Sequence, residues 1–280
     1  MSALLASDDI HANEFRAYSQ FGEDGIIQWL LRRTPGGPRT FVEFGVQNYV
    51  ESNTRNLLIN DHWAGLVIDG SRENIEYIRS DPVYGRYGLR AECSFITRDN
   101  INALIAASGL SGEIGLLSID IDGNDYWVWK AIDVVSPRII VCEYSSIFGP
   151  ERRVTVPYDA AFVRERAHYS RLYFGASLAA LASLATERGY SLVGCTSSGN
   201  NAFFVRNDLV GTLPVLTPAA AYRPTGARES RDRAGSFTFL ELEAGRQLIA
   251  ALPLHDLDTN GPTTVGALPP LGSHVQAANS

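Results

Sequence analysis

Short apolar runs alternate with segments of helical length over the first half of the chain, and this alternation constrains the fold most strongly. The runs are TFVEFG (40–45), GLVIDG (65–70), GLRAECSFI (88–96), IGLLSID (114–120) and RIIVCEY (138–144), and the helical segments are 52–60, 71–79, 99–108 and 124–134. The runs are continuously apolar, which predicts strands that are covered on both faces. The alternation therefore predicts a Rossmann-like α/β fold with a doubly wound parallel sheet.

The last part of the sheet is predicted to be an antiparallel hairpin. A helical pattern over 175–190 is followed by two strand-like runs, YSLVGC (190–195) and NAFFVR (201–206), which flank TSSGN. Strands joined by a short Ser/Gly/Asn loop are typical of hairpins. With this hairpin the predicted sheet has seven strands. A parallel sheet that ends in one hairpin resembles the class I fold of S-adenosylmethionine-dependent methyltransferases.

Composition and segment length divide the rest of the chain. We expect an N-terminal helical segment (1–39), a core (40–210) with an insertion (145–170), a C-terminal extension (211–258) and a flexible tail (259–280). Long insertions of this kind usually carry substrate-facing loops. Helices are predicted at 22–33 and, within the extension, at 239–252. The tail has no charged residue and is rich in Pro, Gly and Ala, which is typical of a flexible terminus.

Charge and hydropathy exclude several classes of function. The net charge of −7 and a pI near 5.3, without a basic stripe, argue against a nucleic-acid surface. No run approaches the roughly eighteen apolar residues of a membrane span, and the N-terminus lacks a signal-peptide pattern. The three cysteines lack C-x-x-C spacing, so we expect buried reduced thiols at Cys93, Cys142 and Cys195. We therefore expect a cytoplasmic protein without a membrane partner, and the apolar tail with the last helix suggests a homodimer.

Residues that follow the first two strands are the first candidates for a ligand site, because open α/β sheets bind ligands beyond the carboxyl ends of their strands. Glu43 could accept hydrogen bonds from an ammonium or ribose group, and Gly45 allows a close turn around a ligand. Asp69, with Gly70 and Ser71, could accept both ribose hydroxyls of an adenosine, or it could cap the next helix together with Ser71. The first turn lacks G-x-G-x-x-G, which disfavours a dinucleotide.

The motifs together resemble the FkbM-like methyltransferases over roughly residues 18 to 210. They are SQFGEDGII (19–27), FVEFGVQ (41–47), SNT (52–54), GLVIDGS (65–71), SIDIDGNDYWVWKAI (118–132), EYSSIFGP (143–150), VPYD (156–159), GASLAAL (175–181) and NAFFVR. The resemblance implies S-adenosylmethionine as the cofactor and, as acceptor, a hydroxyl on a sugar or natural product. The chain has IDIDGND where the commoner form is IDVEGHE, so a role tied to that Glu-Gly-His pattern is not carried over.

Further cofactor contacts are expected at two places. The resemblance puts Gln20, and with it Ser19, over the methionine end of the cofactor, although the same residues could simply start a helix. After the third strand, Ser94 and Phe95 could flank the adenine ring, with Phe95 or Ile96 stacking on it. The same residues could instead belong to the core.

Carboxylates at the ends of strands four and five are the candidates for chemistry on the acceptor. Asp120, Asp122 and Glu143 could hold a cation such as Mg²⁺ or Mn²⁺, with Tyr144 replacing one ligand that similar enzymes have. Asp120 or Asp122 could instead act as a general base without a metal. In a third alternative, Asp120 binds the amino group of the cofactor. His168 in the insertion is a further candidate base.

Four functions are compatible with these features. The first is an S-adenosylmethionine-dependent O-methyltransferase for a small polar acceptor, a glycan or a natural product. The second is an N-methyltransferase or one for a phosphate-like group. The third is a cofactor-binding partner protein without activity, which the strand-end acids disfavour. The fourth is an NAD-dependent oxidoreductase, which the missing glycine motif and the final hairpin disfavour.

Overall fold

The computed structural model describes residues 7–226 and 229–271. The strands in this part of the chain are β1 (Thr40–Phe44), β2 (Ala64–Asp69), β3 (Leu89–Cys93), β4 (Gly112–Ile119), β5 (Val135–Glu143), β6 (Val154–Thr155), β7 (Tyr190–Cys195), β8 (Asn201–Arg206), β9 (Pro253–Asp256) and β10 (Gly261–Thr264). The helices are α1 (Glu23–Arg33), α2 (Arg55–Asn60), α3 (Arg72–Ser80), α4 (Pro82–Arg86), α5 (Ile101–Ala107), α6 (Asp125–Ala131), α7 (Arg164–Ala167), α8 (Leu178–Glu187), α9 (Pro218–Ala221) and α10 (Leu242–Leu248).

Within these residues, seven strands form one mixed sheet in the order β3-β2-β1-β4-β5-β8-β7. The pairs β1–β2, β1–β4, β2–β3 and β4–β5 are parallel. β7 and β8 are neighbours joined by residues 196–200, a connection too short for a parallel crossover, so they form an antiparallel hairpin. The predicted doubly wound sheet with a final hairpin is confirmed.

The interior of the sheet explains why its strands are continuously apolar in sequence. Phe41, Val42 and Phe44 of β1 are all buried, although their side chains point to opposite faces of the sheet. Leu116 and Leu117 of β4 are likewise both buried. Both faces are therefore covered, as expected for a parallel sheet.

β3 is one of the two edge strands of this sheet, and its first four side chains alternate between buried and exposed positions. Cys93 at its end is exposed, whereas Cys142 and Cys195 are buried. The prediction of three buried thiols was therefore wrong for Cys93, because an edge strand at the rim of the sheet has no cover there.

The chain forms two compact units. The first comprises the described residues up to Ile121, Val128–Cys142 and Phe203–Pro214, and the second comprises Asp122–Trp127, Glu143–Ala202 and the described residues from Val215 onward. Each unit is assembled from segments that are distant in sequence. The boundaries predicted at 39, 210 and 258 therefore do not coincide with this division.

The second unit has a hydrophobic core and a small sheet of its own. The sheet has the order β10-β9-β6, and both pairings are antiparallel. Its core members are Ile147, Phe148, Val154, Val156, Tyr173, Ile249, Leu254, Val265 and Leu268. The cluster joins residues of the insertion to residues near the C-terminus, which gives the unit its stability.

The chain beyond Thr259 differs from the flexible tail that we predicted. Gly261–Thr264 pair with Pro253–Asp256, and Val265 and Leu268 are buried in the second core. The predicted tail was therefore wrong for residues 259–271, because scattered apolar side chains there are covered by tertiary contacts. Residues 272–280 lie outside the described residues. No helix in the described part of the chain is long and apolar enough to cross a bilayer.

Candidate active site

In the first unit, three acids lie at the carboxyl edge of adjacent parallel strands. Phe44 of β1 pairs with Ile68 of β2 on one side and with Ile119 of β4 on the other. Asp69 and Asp120 directly follow these partners, and Glu43 precedes Phe44. The sequence-predicted acids Glu43, Asp69 and Asp120 are thus brought to one edge of the sheet, where ligands of this fold class bind.

Gly45 makes the turn after β1 pass very close to the end of β4. Its φ is +78°, in the left-handed region, and its amide donates to the Ile68 carbonyl at 3.1 Å. A Cβ atom on Gly45 would lie 1.4 Å from the carbonyl oxygen of Asp120. Both observations require glycine at this position. The turn is therefore fixed against β4, and its backbone forms part of the edge.

Glu43 is buried, and its two oxygens accept hydrogen bonds from the loop that leads into α2. Oε1 accepts from the Asn53 amide at 2.8 Å, while Oε2 accepts from the Thr54 amide at 3.0 Å and from the Thr54 hydroxyl. Burial is the largest cause that raises the pKa of Glu43, to about 7, and these hydrogen bonds only partly oppose it. The geometry favours a role in holding this loop over the predicted direct contact with a cofactor.

The raised pKa predicts that folding stability depends on pH through Glu43. The folded protein keeps this proton at pH values where the unfolded chain, with a pKa near 4.5, has lost it. This contribution is complete below the unfolded pKa and is lost as the pH rises through about 7. We expect a loss of about 2 kcal/mol between roughly pH 5.5 and pH 7.5, measured by urea unfolding. Glu43→Gln should flatten this slope, and an equal slope in both proteins would contradict the assignment.

Asp69 connects the turn after β1 to the start of α3. Its Oδ2 accepts from the Gln47 amide at 2.8 Å, and its Oδ1 accepts from the Ser71 amide at 2.8 Å and from Asn74 Nδ2 at 3.0 Å. Ser71 in turn caps α3, because its Oγ accepts from the Asn74 amide at 3.3 Å. The capping alternative for Ser71 is therefore observed. Each carboxylate oxygen can accept more than one hydrogen bond, so Asp69 can also bind ribose hydroxyls.

An exposed aromatic ring lies beside Gly70, the residue that follows Asp69, just beyond the end of the next strand. Phe95 is 49% exposed, and its ring is 3.5 Å from the position that a Cβ on Gly70 would occupy. Ser94 donates its amide to the Asp69 carbonyl at 3.0 Å. Ile96 is buried and belongs to the core. Of the two candidates for stacking, Phe95 is therefore the one with a ring face available to a ligand.

The segment before α1 is held by Asp24, a residue in the first turn of that helix. Its Oδ2 accepts from the amides of Ala17, Tyr18 and Ser19 at 2.6–2.8 Å, and from Ser19 Oγ at 3.0 Å. Ser19 is buried by this arrangement, whereas Gln20 is exposed. Only Gln20 therefore keeps a side chain that can reach a ligand.

In the second unit, the loop after β4 is covered by the insertion. Asp122, which has a left-handed φ of +54°, forms an ion pair with Arg164 of α7. Asn124 Nδ2 donates to the Asp159 carbonyl at 2.8 Å, and Trp127 Nε1 donates to the Val156 carbonyl at 2.9 Å.

Gly123, in the same loop, lies against the ring of Phe162, which is 2.2 Å from the position of a Cβ on that glycine. Sequence reasoning missed Arg164 and Phe162. Their partners lie about 40 residues away along the chain, and no local pattern in the sequence indicates such a contact.

The metal-ligand candidates follow paired strand residues. Ile119 of β4 pairs with Cys142 of β5, and Asp120 and Glu143 are the residues that come next. Ligand oxygens of Asp122 and Glu143 lie within 4.8 Å of each other. Tyr144 is buried and donates its hydroxyl to the Arg223 carbonyl at 2.7 Å, so it is a structural residue.

His168, the candidate base of the insertion, lies at the end of α7. Its Nδ1 is 2.7 Å from Ser170 Oγ. Burial, and then the positive charge of Arg233, hold the pKa of His168 below its usual value, so the ring is neutral at pH 7. A neutral imidazole can accept a proton, which keeps this candidate chemically competent.

Comparison with known proteins finds distant structural likeness only. No family model and no curated protein matches the chain. The N-terminal domain of EvdMO1 with SAH bound is similar with a TM-score of 0.42 and 12% identity, over 69% of this chain and 88% of that one. An S-adenosylmethionine-dependent methyltransferase from Clostridium acetobutylicum ATCC 824 has a TM-score of 0.41 and 10% identity, over 66% of this chain and 90% of that one.

The O-methyltransferase TomG from Streptomyces achromogenes, in complex with SAM, has a TM-score of 0.38 and 13% identity, over 66% of this chain and 79% of that one. These structural neighbours are S-adenosylmethionine-dependent methyltransferases. The FkbM-like resemblance has no match of its own among them. At such low TM-scores and identities the likeness carries no functional argument, so the function must be argued from the geometry of the site.

Proposed function

We propose that this protein is an S-adenosylmethionine-dependent methyltransferase that methylates a hydroxyl of a small polar acceptor, a sugar, sugar nucleotide or natural product. The observation that carries the proposal is the position of Asp69 and Phe95, which lie at the ends of two adjacent strands, β2 and β3. A carboxylate that can accept two ribose hydroxyls and an exposed aromatic face are what an adenosine needs. The final hairpin of the sheet supports the same class of enzyme.

The first unit has the right donor set for this cofactor. Asp69 would hold the ribose, Phe95 with Ser94 and Gly70 would flank the adenine, and Gln20 would bind near the methionine carboxylate. The backbone of the Gly45 turn would approach the ligand closely, since no side chain can occupy that position. Glu43 would act indirectly, by holding the loop that follows this turn.

Chemistry on the acceptor falls to the residues around the loop after β4. Methyl transfer from a sulfonium needs alignment of donor and acceptor, together with removal of the hydroxyl proton. Asp122 is engaged by Arg164, so we assign proton removal to Asp120 or to His168 and a positioning role to Asp122. The insertion that covers this loop would contact the acceptor.

The proposal includes a divalent cation that assists the removal of the hydroxyl proton. Asp122 and Glu143 of the second unit, whose ligand oxygens lie within 4.8 Å of each other, offer hard oxygen ligands that fit Mg²⁺ or Mn²⁺, and the ion would make an acceptor hydroxyl more acidic. Arg164 competes with such an ion for Asp122. Turnover that is unchanged in EDTA would remove the metal from the proposal.

Thermal unfolding in the presence of nucleoside ligands tests the proposed cofactor. We expect S-adenosylhomocysteine to raise the Tm by several degrees at a concentration of about 100 Kd, since ligand binding then adds about 2.7 kcal/mol. NAD at the same concentration is the control and should leave the Tm unchanged. A shift with NAD and none with S-adenosylhomocysteine would reject the proposed function.

A further inference from the structure

A pair of exposed phenylalanines lies on a short hairpin of the second unit, and the fold does not explain their exposure. Phe237 is 48% exposed and Phe239 is 61% exposed. Their rings are stacked, with centroids 5.5 Å apart and planes inclined by 17°. Contiguous exposed apolar patches on soluble proteins mark sites of interaction or ligand binding. We refer to Ser230–Leu240 as the aromatic hairpin.

The aromatic hairpin is a structured element rather than an extended loop. Arg231 and Phe237 form an antiparallel bridge, and Asp232 Oδ1 accepts from the amides of Ala234 and Ser236, both at 2.9 Å. Ser230 Oγ, which is buried, accepts from the Leu240 amide at 2.8 Å. The exposed rings are therefore held in defined positions.

Phe239 is also strained. Its φ is +50°, in the left-handed region, which a bulky side chain rarely adopts. Residues with such backbone strain cluster at active sites and ligand-binding sites.

Two arginines add positive charge to this surface. The Arg231 guanidinium lies over the Phe237 ring at 4.0 Å from its centroid, and that of Arg233 lies over Tyr169 at 4.6 Å. Asp232 lies between these arginines in sequence. One of its carboxylate oxygens accepts hydrogen bonds from two backbone amides of the turn. Flat aromatic faces beside planar guanidinium groups fit a ring-shaped ligand that bears a carboxylate or a phosphate.

The aromatic hairpin contacts the residues that follow α7, and α7 in turn contacts the loop that carries Asp122. The Arg231 amide donates to the Ser170 carbonyl at 3.3 Å, and the His168 and Tyr169 rings are 4.3 Å apart. These residues directly follow α7, whose Arg164 pairs with Asp122. The surface thus lies within the same unit as Asp122 and His168, two of the residues proposed to act on the acceptor.

We infer that Phe237, Phe239, Arg231 and Arg233 form a subsite for an anionic carbohydrate, and that this subsite holds the acceptor. The apolar C–H face of a pyranose ring would pack on the phenylalanines, and its carboxylate would pair with an arginine. The inference rests on the proposed function for the role of acceptor, but the binding itself does not depend on it.

Binding of trigalacturonate, with maltotriose as a neutral analogue, tests the subsite by titration calorimetry. We expect trigalacturonate to bind more tightly than maltotriose. Phe239→Gly should weaken both by about ten-fold or more without lowering the Tm, because it removes the ring and relieves the strained φ. Arg233→Gln should weaken trigalacturonate alone. Tyr77→Ala removes an aromatic ring from α3 that is also about half exposed, at 49%, and should change neither affinity.

Several outcomes would overturn the inference. In the first, the wild-type chain binds neither trisaccharide. In the second, Phe239→Gly binds trigalacturonate as tightly as the wild-type chain does. In the third, the wild-type chain is a dimer and Phe239→Gly is a monomer. If Phe239→Gly fails to fold, Phe239→Asn keeps a residue that tolerates the left-handed region and replaces it in the same titration. S-adenosylhomocysteine is titrated in parallel. Binding of the cofactor without trigalacturonate rejects the subsite alone, and the reverse result rejects the proposed function alone.

Discussion

Replacing Asp69 with alanine is expected to weaken the binding of S-adenosylhomocysteine by roughly 100-fold. Two hydrogen bonds from ribose hydroxyls to a carboxylate contribute about 1.5 kcal/mol or more each, and about 3 kcal/mol corresponds to roughly two orders of magnitude in Kd. Asp69 also accepts from Gln47, Ser71 and Asn74, so the variant should lose some stability as well. Calorimetric titration gives the affinity, and urea unfolding measures the loss of stability separately.

Glu73→Ala is the matched control for this experiment. Glu73 lies in the first turn of α3, is exposed and carries the same charge, so its removal changes the local field in the same way. We expect its affinity for S-adenosylhomocysteine to stay within about two-fold of wild type, since surface charges contribute little. If Asp69→Ala bound the cofactor as tightly as Glu73→Ala, the ribose would lie elsewhere.

Substituting Gly45 with alanine is expected to give the largest loss of stability, about 4 kcal/mol or more. The new methyl group would lie 1.4 Å from the Asp120 carbonyl oxygen, so the turn after β1 or the end of β4 must move. The left-handed φ of +78° adds the ordinary cost of a side chain in that region. Urea unfolding measures the effect.

Gly36→Ala separates these two contributions. Gly36 has nearly the same φ, +81°, but among the described residues no atom beyond its chain neighbours lies within 4 Å of the position of its Cβ. We expect this variant to lose only about 1–2 kcal/mol, the cost of the backbone conformation. Equal losses in the two variants would mean that the turn relaxes freely and that its contact with β4 does not fix the edge of the site.

The sheet could be predicted because its signals are local. β7 and β8 coincide with the predicted runs, since Gly189 and the TSSGN loop mark their limits. β5 begins three residues before the predicted run, at Val135, and Pro137 in between obscured this start. β6, β9 and β10 have only two to four residues each. Strands so short carry little periodicity of their own, and β6 in addition pairs with a distant partner, Val154 with Asp256.

The distinction between local signals and contacts with distant segments also applies to the candidate site. The acids Glu43, Asp69 and Asp120 could be placed on one edge because parallel strands end together. What each acid binds could not be predicted, because the partners come from loops. In the structure, Glu43 accepts hydrogen bonds from the amides of Asn53 and Thr54. Asp122 forms an ion pair with Arg164.

The cover over the loop after β4 limits how the insertion can be modified. Phe162 occupies the space that any side chain at position 123 would need, and Asp159 and Arg164 bind the residues on either side of that glycine. Grafting a foreign sequence onto residues 156–174, for instance to redirect the protein to a new acceptor, would therefore disturb Asp122 as well. The tripeptide Asp122-Gly123-Asn124 and the insertion have to be transplanted as one cassette.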